Sequence, residues 1–257
     1  MSGPRPRPKD VPGSPVSSDG EQRAGLNRGL ALLVAGAFFM EILDGTVIAP
    51  AAPAIAADLA VAAVDINVAI TAYLLTLAVL IPISGWMADR FGARRGFMAA
   101  IAIFTLASAG CALATSLPML TSTRILQGVG GAMMVPVGRL VVLRTTAKAE
   151  LIRAIAFLTW PALIAPVIAP AVGGVLSTYA SWRWIFVINL PLGIAGLFLA
   201  TRLVPDVRAE GKPRLDWRGF VLTALGISAL LVGMENIGMG RPTGPWWRPP
   251  WRSQRCS

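Results

Sequence analysis

Histidine is absent from the 257-residue chain, and cysteine occurs only twice. The lack of histidine excludes catalytic triads that use a histidine base and metal sites with histidine ligands. Cys111 and Cys256 have no neighbours at metal-ligand spacing, so neither a metal site nor a disulfide framework is predicted. The phosphate-binding pattern G-x-x-x-x-G-K-[ST] is also missing. The sequence therefore predicts no enzyme, no ATP-driven pump and no cofactor.

Charge is scarce as well. Only 14% of the residues are charged and 55% are hydrophobic, whereas about 25% of the residues in soluble domains are charged. The mean hydropathy is +0.65. These values predict a polytopic membrane protein whose first partner is the lipid bilayer. The net charge of +10 does not indicate nucleic-acid binding, because the basic residues lie between apolar runs rather than on one face or tail.

Apolar segments long enough to cross a bilayer recur along the chain. A membrane helix needs about 20 mostly apolar residues. Seven segments reach or approach that length, at roughly 29–50, 66–88, 97–117, 120–143, 152–178, 184–203 and 218–238. The fold class predicted is all-α, with six membrane-spanning helices in one bundle and one further span.

Basic residues alternate between the loops and indicate the topology. They are frequent before the first span and after the second, fourth and sixth spans, whereas the loop after the first span carries Asp58 and Asp65 and no base. Positive loops stay in the cytoplasm, so the N-terminus is predicted to be cytoplasmic and the protein to lie in the cytoplasmic (inner) membrane. The predicted regions are a disordered cytoplasmic arm (1–25), a six-span bundle (26–204), a cytoplasmic linker (205–217), a seventh span (218–238) and an irregular tail (239–257).

The tail does not fit this alternation, since it carries four arginines on the predicted outer side. It is rich in Pro and Trp and has no helical period. One interpretation is that the chain is truncated and ends in non-native residues; the alternative is an interfacial anchor of Trp and Arg.

A tight loop between the second and third segments reads GWMADRFGARRG, residues 85–96. This loop resembles the signature G-x-x-x-D-R-x-G-x-[RK]-[RK] of the major facilitator superfamily. Its matching residues are Gly85, Asp89, Arg90, Gly92, Arg94 and Arg95. The resemblance implies that they form a cytoplasmic gating loop.

Further stretches resemble motifs of the same family in the same order along the chain, and the first, fourth and fifth of them are typical of its fourteen-span drug:proton antiporter branch. They are LDGTVIAPAAP (43–53), RILQGVGGAMMVP (124–136), APVIAPAVGG (165–174), SWRWIFVINLPLG (181–193) and LDWRGF (215–220). The third stretch resembles the antiporter motif of the fifth helix, through Pro166, Pro170, Gly173 and Gly174. Ala165 and Ala169 stand where the family usually has glycine.

The resemblance implies the fold and function of a transporter. Members form two six-helix bundles with the substrate path between them, and this chain supplies one bundle and one extra span. The implied activity is proton-coupled export of amphiphilic, often cationic, compounds by alternating access. Two alternatives stay open: a proton-coupled uptake symporter, and a non-transporting fragment that needs a complementary C-terminal half as partner.

Two acids, Glu41 and Asp44, lie three residues apart inside the first apolar segment, which places them on neighbouring parts of one helix face. A bare carboxylate is expensive at membrane depth, so such groups face a bundle interior or a wet cavity. Low dielectric and a second nearby acid favour proton uptake. The two acids are therefore predicted to couple protons to substrate, with a structural acid as the alternative.

Other polar residues within the spans are candidates for the same site. Arg124 in the fourth segment matches an arginine that the family uses in proton transfer, although it could instead snorkel to the interface. The candidate cavity-lining residues are Thr71, Tyr73, Gln127 and Asn189. Each of the four could instead form a hydrogen bond between helices.

Overall fold

The computed structural model describes residues 27–205 and 215–238. Within those ranges the chain is helical and contains no strand. The helices are α1 (Arg28–Asp58), α2 (Ile66–Phe91), α3 (Ala93–Ala112), α4 (Leu117–Thr145), α5 (Leu151–Tyr179), α6 (Trp184–Val187), α7 (Asn189–Leu203) and α8 (Trp217–Gly238). The predicted arm, most of the predicted linker and the predicted tail lie outside the described residues.

The all-α polytopic fold predicted from the sequence is confirmed. Among the described residues, six helical stretches are long and apolar enough to cross a membrane, and α6 with α7 forms the sixth of them. The apolar part of α8, Trp217–Leu231, is shorter. The first span runs on to Asp58, beyond the predicted end at residue 50, although Pro50 and Pro53 lie inside it. A membrane helix tolerates proline because neighbouring helices, Ser/Thr side chains and local backbone adjustments satisfy the backbone groups that proline frees.

Each of the six spans packs against one or more of the others. Helix α1 lies against α5, α4 lies against both α2 and α3, and α7 covers α3 and α1. In their apolar stretches, α1 and α4 are 67% and 61% buried, whereas α2 and α5 are each only 17% buried. Helices α1 and α4 are therefore the inner helices of the bundle, and α2 and α5 present broad uncovered faces.

Close approach between α4 and its neighbours depends on glycine. A Cβ atom added at Gly130 would lie 2.7 Å from the backbone nitrogen of Phe104 and 2.8 Å from the carbonyl oxygen of Ala100. Only a residue without a side chain fits at that contact, and small residues at helix crossings are typical of membrane bundles. The close contact holds α3 and α4 in a defined register.

The apolar core of the bundle has two parts. One includes Val34, Phe97 and Val137; the other includes Ile48, Leu120 and Phe186. On α1, α3 and α4, the residues between the two parts in sequence include buried polar side chains. The core is thus divided by a polar level near the middle of these helices.

Candidate functional site

Five buried polar residues meet at that level, and we call them the polar layer. They come from α1, α3, α4 and α7: Asp44, Ser108, Arg124, Gln127 and Asn189. Each is at most 2% exposed. Four helices therefore converge on one cluster of charge and hydrogen bonds in an otherwise apolar part of the bundle.

Asp44 is the centre of the polar layer. Its Oδ2 accepts a hydrogen bond from Nη1 of Arg124 at 2.5 Å, and this contact is also an ion pair between two side chains with no exposed surface. Its Oδ1 accepts from Nε2 of Gln127 at 3.0 Å and from Nδ2 of Asn189 at 2.8 Å. Both carboxylate oxygens are therefore occupied, as a buried charge requires if it is to be stable.

Arg124 does not snorkel to the interface, because it is fully buried. Its Nη1 also donates to Oε1 of Gln127 at 2.7 Å, and its Cζ lies 3.9 Å from the centre of the Tyr73 ring. The ring face supplies a favourable contact for the cation. Nε and Nη2 of Arg124 have no hydrogen-bond partner among the described residues, so two donors of this guanidinium are unoccupied.

Sequence reasoning missed Ser108. Its hydroxyl oxygen accepts from Gln127 at 2.7 Å and from Asn189 at 3.4 Å, and it thereby joins α3 to the polar layer. Cys111, one turn further along α3, directs its thiol toward Oε1 of Gln127 at 3.6 Å. The available signal was a pair of small polar residues in the third apolar segment, but nothing local in the sequence indicated their partners.

Glu41 lies one turn before Asp44 on α1, yet it occupies different surroundings. It is 8% exposed, and a Cβ atom at Gly131 would lie 3.5 Å from its carboxyl carbon and 3.0 Å from a methyl of Leu77. Its Oε2 is buried and has no hydrogen-bond partner among the described residues. The hydroxyl of Tyr73 donates to the backbone carbonyl of Glu41 at 3.4 Å, not to its carboxyl group.

Of the candidate cavity-lining residues, Gln127 and Asn189 belong to the polar layer, and Tyr73 stacks on its arginine. Thr71 is half-buried in α2, two residues before Tyr73. Tyr73, Gln127 and Asn189 therefore join helices.

The predicted gating loop is largely helical, because residues 85–91 end α2, residues 93–96 begin α3 and Gly92 alone lies between the two helices. Oδ1 of Asp89 accepts from Arg144 of α4 at 3.0 Å, and Arg94 donates to the backbone carbonyl of Thr201 on α7. Gly92 turns the chain with φ 92° and ψ 137°, a backbone conformation that glycine adopts readily.

The remaining three residues of that motif are exposed: Gly85, Arg90 and Arg95. The loop thus ties α2, α3, α4 and α7 together at one end, and three of its residues are left on the surface.

The residues of the predicted antiporter motif lie on two sides of α5, one buried and one exposed. Ala165, Ala169 and Gly173 are buried, and a Cβ atom at Gly173 would lie 2.7 Å from the carbonyl oxygen of Val47 on α1. Pro166 and Pro170 are exposed. At Gly174, which is half-buried, nothing lies within 4 Å of an added Cβ atom. The small residues therefore serve the α1 contact, and the prolines line the uncovered face.

These features define a polytopic helical membrane protein with an ion pair buried at the centre of a six-span bundle. The Major Facilitator Superfamily profile matches residues 34–253, and the chain belongs to this family of transporters. The family assignment agrees with the predicted transport class; the absence of enzymatic activity stays a prediction.

Curated relatives share sequence across most of the chain. The provisionally named multidrug resistance protein MdtD of Salmonella typhimurium is 45% identical over 217 residues, which cover 83% of this chain and 45% of the relative. MdtD of Cronobacter sakazakii is 45% identical over 212 residues, covering 82% of this chain and 44% of the relative. The chain therefore spans less than half the length of the curated relatives that it matches.

Solved structures show the same fold at low sequence identity. A D-xylose–proton symporter aligns with a TM-score of 0.61 at 14% identity, over 84% of this chain and 55% of its own. A mutant of the peptide transporter POT in complex with sulfate aligns with a TM-score of 0.63 at 14% identity, over 90% of this chain and 50% of its own.

Proposed function

We propose that this chain takes part in the proton-coupled export of amphiphilic, often cationic, compounds across the cytoplasmic membrane. The observation that carries the proposal is the Asp44–Arg124 ion pair, buried on the two inner helices of a membrane bundle. Intramembrane charges are expensive and typically mark substrate or proton pathways. The relatives that are 45% identical are named as multidrug resistance proteins, which favours drugs as the cargo.

The mechanism proposed is alternating access. The bundle would open to one side of the membrane and then to the other, so that a proton and a substrate are bound and released in turn at the acids of α1. Protons and a small amphiphilic substrate are the implied partners. A proton-coupled uptake symporter uses the same elements with the direction of substrate movement reversed.

A second bundle is the further partner proposed for the uncovered faces of α2 and α5. These two helices are each 17% buried in their apolar stretches, and the exposed side of α5 carries Pro166 and Pro170. If this chain transports only with that partner, it is by itself a non-transporting bundle. We propose a complementary C-terminal half as this partner, because the chain covers less than half of the length of the relatives that it matches.

The orientation proposed has the N-terminus in the cytoplasm. The loop with Arg90, Arg94 and Arg95 would then face the cytoplasm together with Arg144, and Asp58 would lie on the outer side. Positively charged loops are retained in the cytoplasm. Reporter fusions placed after Gly92 and after Leu59 test it, and activity of the cytoplasmic reporter after Leu59 would contradict it.

Efflux of a fluorescent cationic dye, such as ethidium, from cells tests the transport proposal. The full chain is expressed alone, and also together with the C-terminal half of MdtD, with and without a proton uncoupler. We expect proton-gradient-dependent efflux in at least one of the two configurations, and its loss in the Arg124→Gln variant. Asp65→Asn, in an exposed loop acid, is the matched control and should retain efflux. Dye efflux that neither the uncoupler nor Arg124→Gln reduces would refute the proposal.

A further inference from the structure

The two acids of α1 differ in how their oxygens are used. Asp44 has three hydrogen-bond donors on its two oxygens, one of them from a guanidinium. Glu41 has a buried carboxyl oxygen with no partner among the described residues. A shared role for the two acids does not account for this difference in their surroundings.

Asp44 and Arg124 compensate each other's charge in the interior of the bundle. A neutral acid no longer compensates the charge of Arg124, which is fully buried and already has two donors without a partner among the described residues. An uncompensated buried charge is strongly destabilising. The network therefore gives Asp44 and Arg124 a structural role as a pair of buried charges that compensate each other.

Glu41 fits the opposite description. A charged carboxylate with an unpartnered oxygen is poorly tolerated in apolar surroundings, whereas a neutral carboxylic acid costs much less to bury. The carboxyl carbon of Glu41 lies 3.5 Å from the position of a Cβ atom added at Gly131, so this carboxyl group packs against the backbone of α4. This conformation therefore favours the neutral acid at Glu41.

Other titratable and charged groups surround this part of α1. They are Asp44 on α1 itself, Tyr73 on α2, Cys111 on α3 and Arg124 on α4. The described residues of α5, α6 and α7 that are buried carry no titratable side chain. The negative charge of Asp44 disfavours a second charge at Glu41, and the cation that could offset it is already paired to Asp44.

We propose that Glu41 carries the exchangeable proton, and that the Asp44–Arg124 pair is a positioning pair. Resting on the proposed function, the cycle is as follows. Glu41 takes a proton from water on the outer side and releases it to water on the cytoplasmic side, and the substrate moves the other way. Glu41 has the larger exposed fraction of the two acids, 8% against 1% for Asp44.

Infrared difference spectroscopy tests this assignment without requiring transport. The full chain is reconstituted in lipid bilayers, and the carbonyl stretch of protonated carboxylic acids is followed as the pH is raised. We expect a pH-dependent band that disappears in Glu41→Gln. The same band should persist in Asp44→Asn combined with Arg124→Gln, which removes both charges of the pair together. Asp65→Asn controls for acids exposed to water, and helical circular dichroism confirms that each variant is folded.

The outcomes are distinguishable. Loss of the band in the double variant and its retention in Glu41→Gln would assign the proton to Asp44 and overturn the inference. An unchanged band in both variants would overturn it as well, because neither acid would then titrate. If the band follows Glu41 but the dye-efflux experiment finds no proton-dependent transport, the assignment of the titrating acid stands and the proposed function fails.

Discussion

Breaking the Asp44–Arg124 pair should destabilise the bundle more than removing it altogether. Both side chains have no exposed surface. Asp44→Asn removes the carboxylate charge that compensates the buried guanidinium of Arg124. The loss of one partner from a buried pair typically costs about 3–5 kcal/mol, so each single variant, Asp44→Asn or Arg124→Gln, is expected to lose about that much unfolding free energy.

The double variant should recover much of this loss. With both charges gone, the amide oxygen of Asn at position 44 can still accept from Gln127 or Asn189. The remaining cost is then one or two neutral hydrogen bonds, about 1–2 kcal/mol at about 1 kcal/mol each. The double variant is therefore predicted to be more stable than either single variant.

The unfolding free energies of the wild type, the two single variants and the double variant are measured by reversible unfolding in mixed detergent micelles, followed by helical circular dichroism. The matched control is the Asp89–Arg144 pair, whose side chains are 27% and 32% exposed and whose coupling should be only about 0–1 kcal/mol. If the double variant loses about as much stability as the two single variants combined, the two residues act independently, and the reasoning about a compensated buried charge is wrong.

Three further predictions concern packing and the ends of the bundle, each measured as unfolding free energy in micelles. Gly130→Ala should cost about 1–3 kcal/mol because the added Cβ atom would meet the backbone of α3. The control Gly226→Ala should be near neutral, because nothing lies within 4 Å of a Cβ atom added there. Equal losses in the two variants would refute the close contact at Gly130. Gly92→Ala should cost about 1–3 kcal/mol because of its positive φ, unlike Gly85→Ala in a helix. Arg183→Gln should cost less than about 1 kcal/mol, because the side chains of Arg183 and its partner Asp58 are 34% and 44% exposed. A larger loss would contradict a weak surface ion pair.

The candidate site was only partly predictable. Asp44 and Arg124 stood out because charges inside apolar segments are rare, and Gln127 and Asn189 stood out for the same kind of reason. Their convergence was not predictable, because it depends on the packing of α4 and α7 against α1. Ser108 was missed because serine is common in membrane helices, where its hydroxyl can form hydrogen bonds with many different partners.

The two acids show the same limit. Their spacing correctly places Glu41 and Asp44 on adjacent turns of one helix. Spacing could not show that one carboxylate would be paired with Arg124 and the other left with an unpartnered oxygen beside Gly131. That distinction depends on which residues of α2 and α4 face each turn of α1.

The sequence by itself determined that the chain is helical, crosses a membrane several times and belongs with the major facilitator transporters. Those properties follow from the length of apolar runs, because each span satisfies its backbone within one segment, and from motifs that are local in the chain. Only the tertiary structure decided which charges are compensated. The partners of Asp44 lie 80, 83 and 145 residues away, and such pairings are set by how whole helices pack.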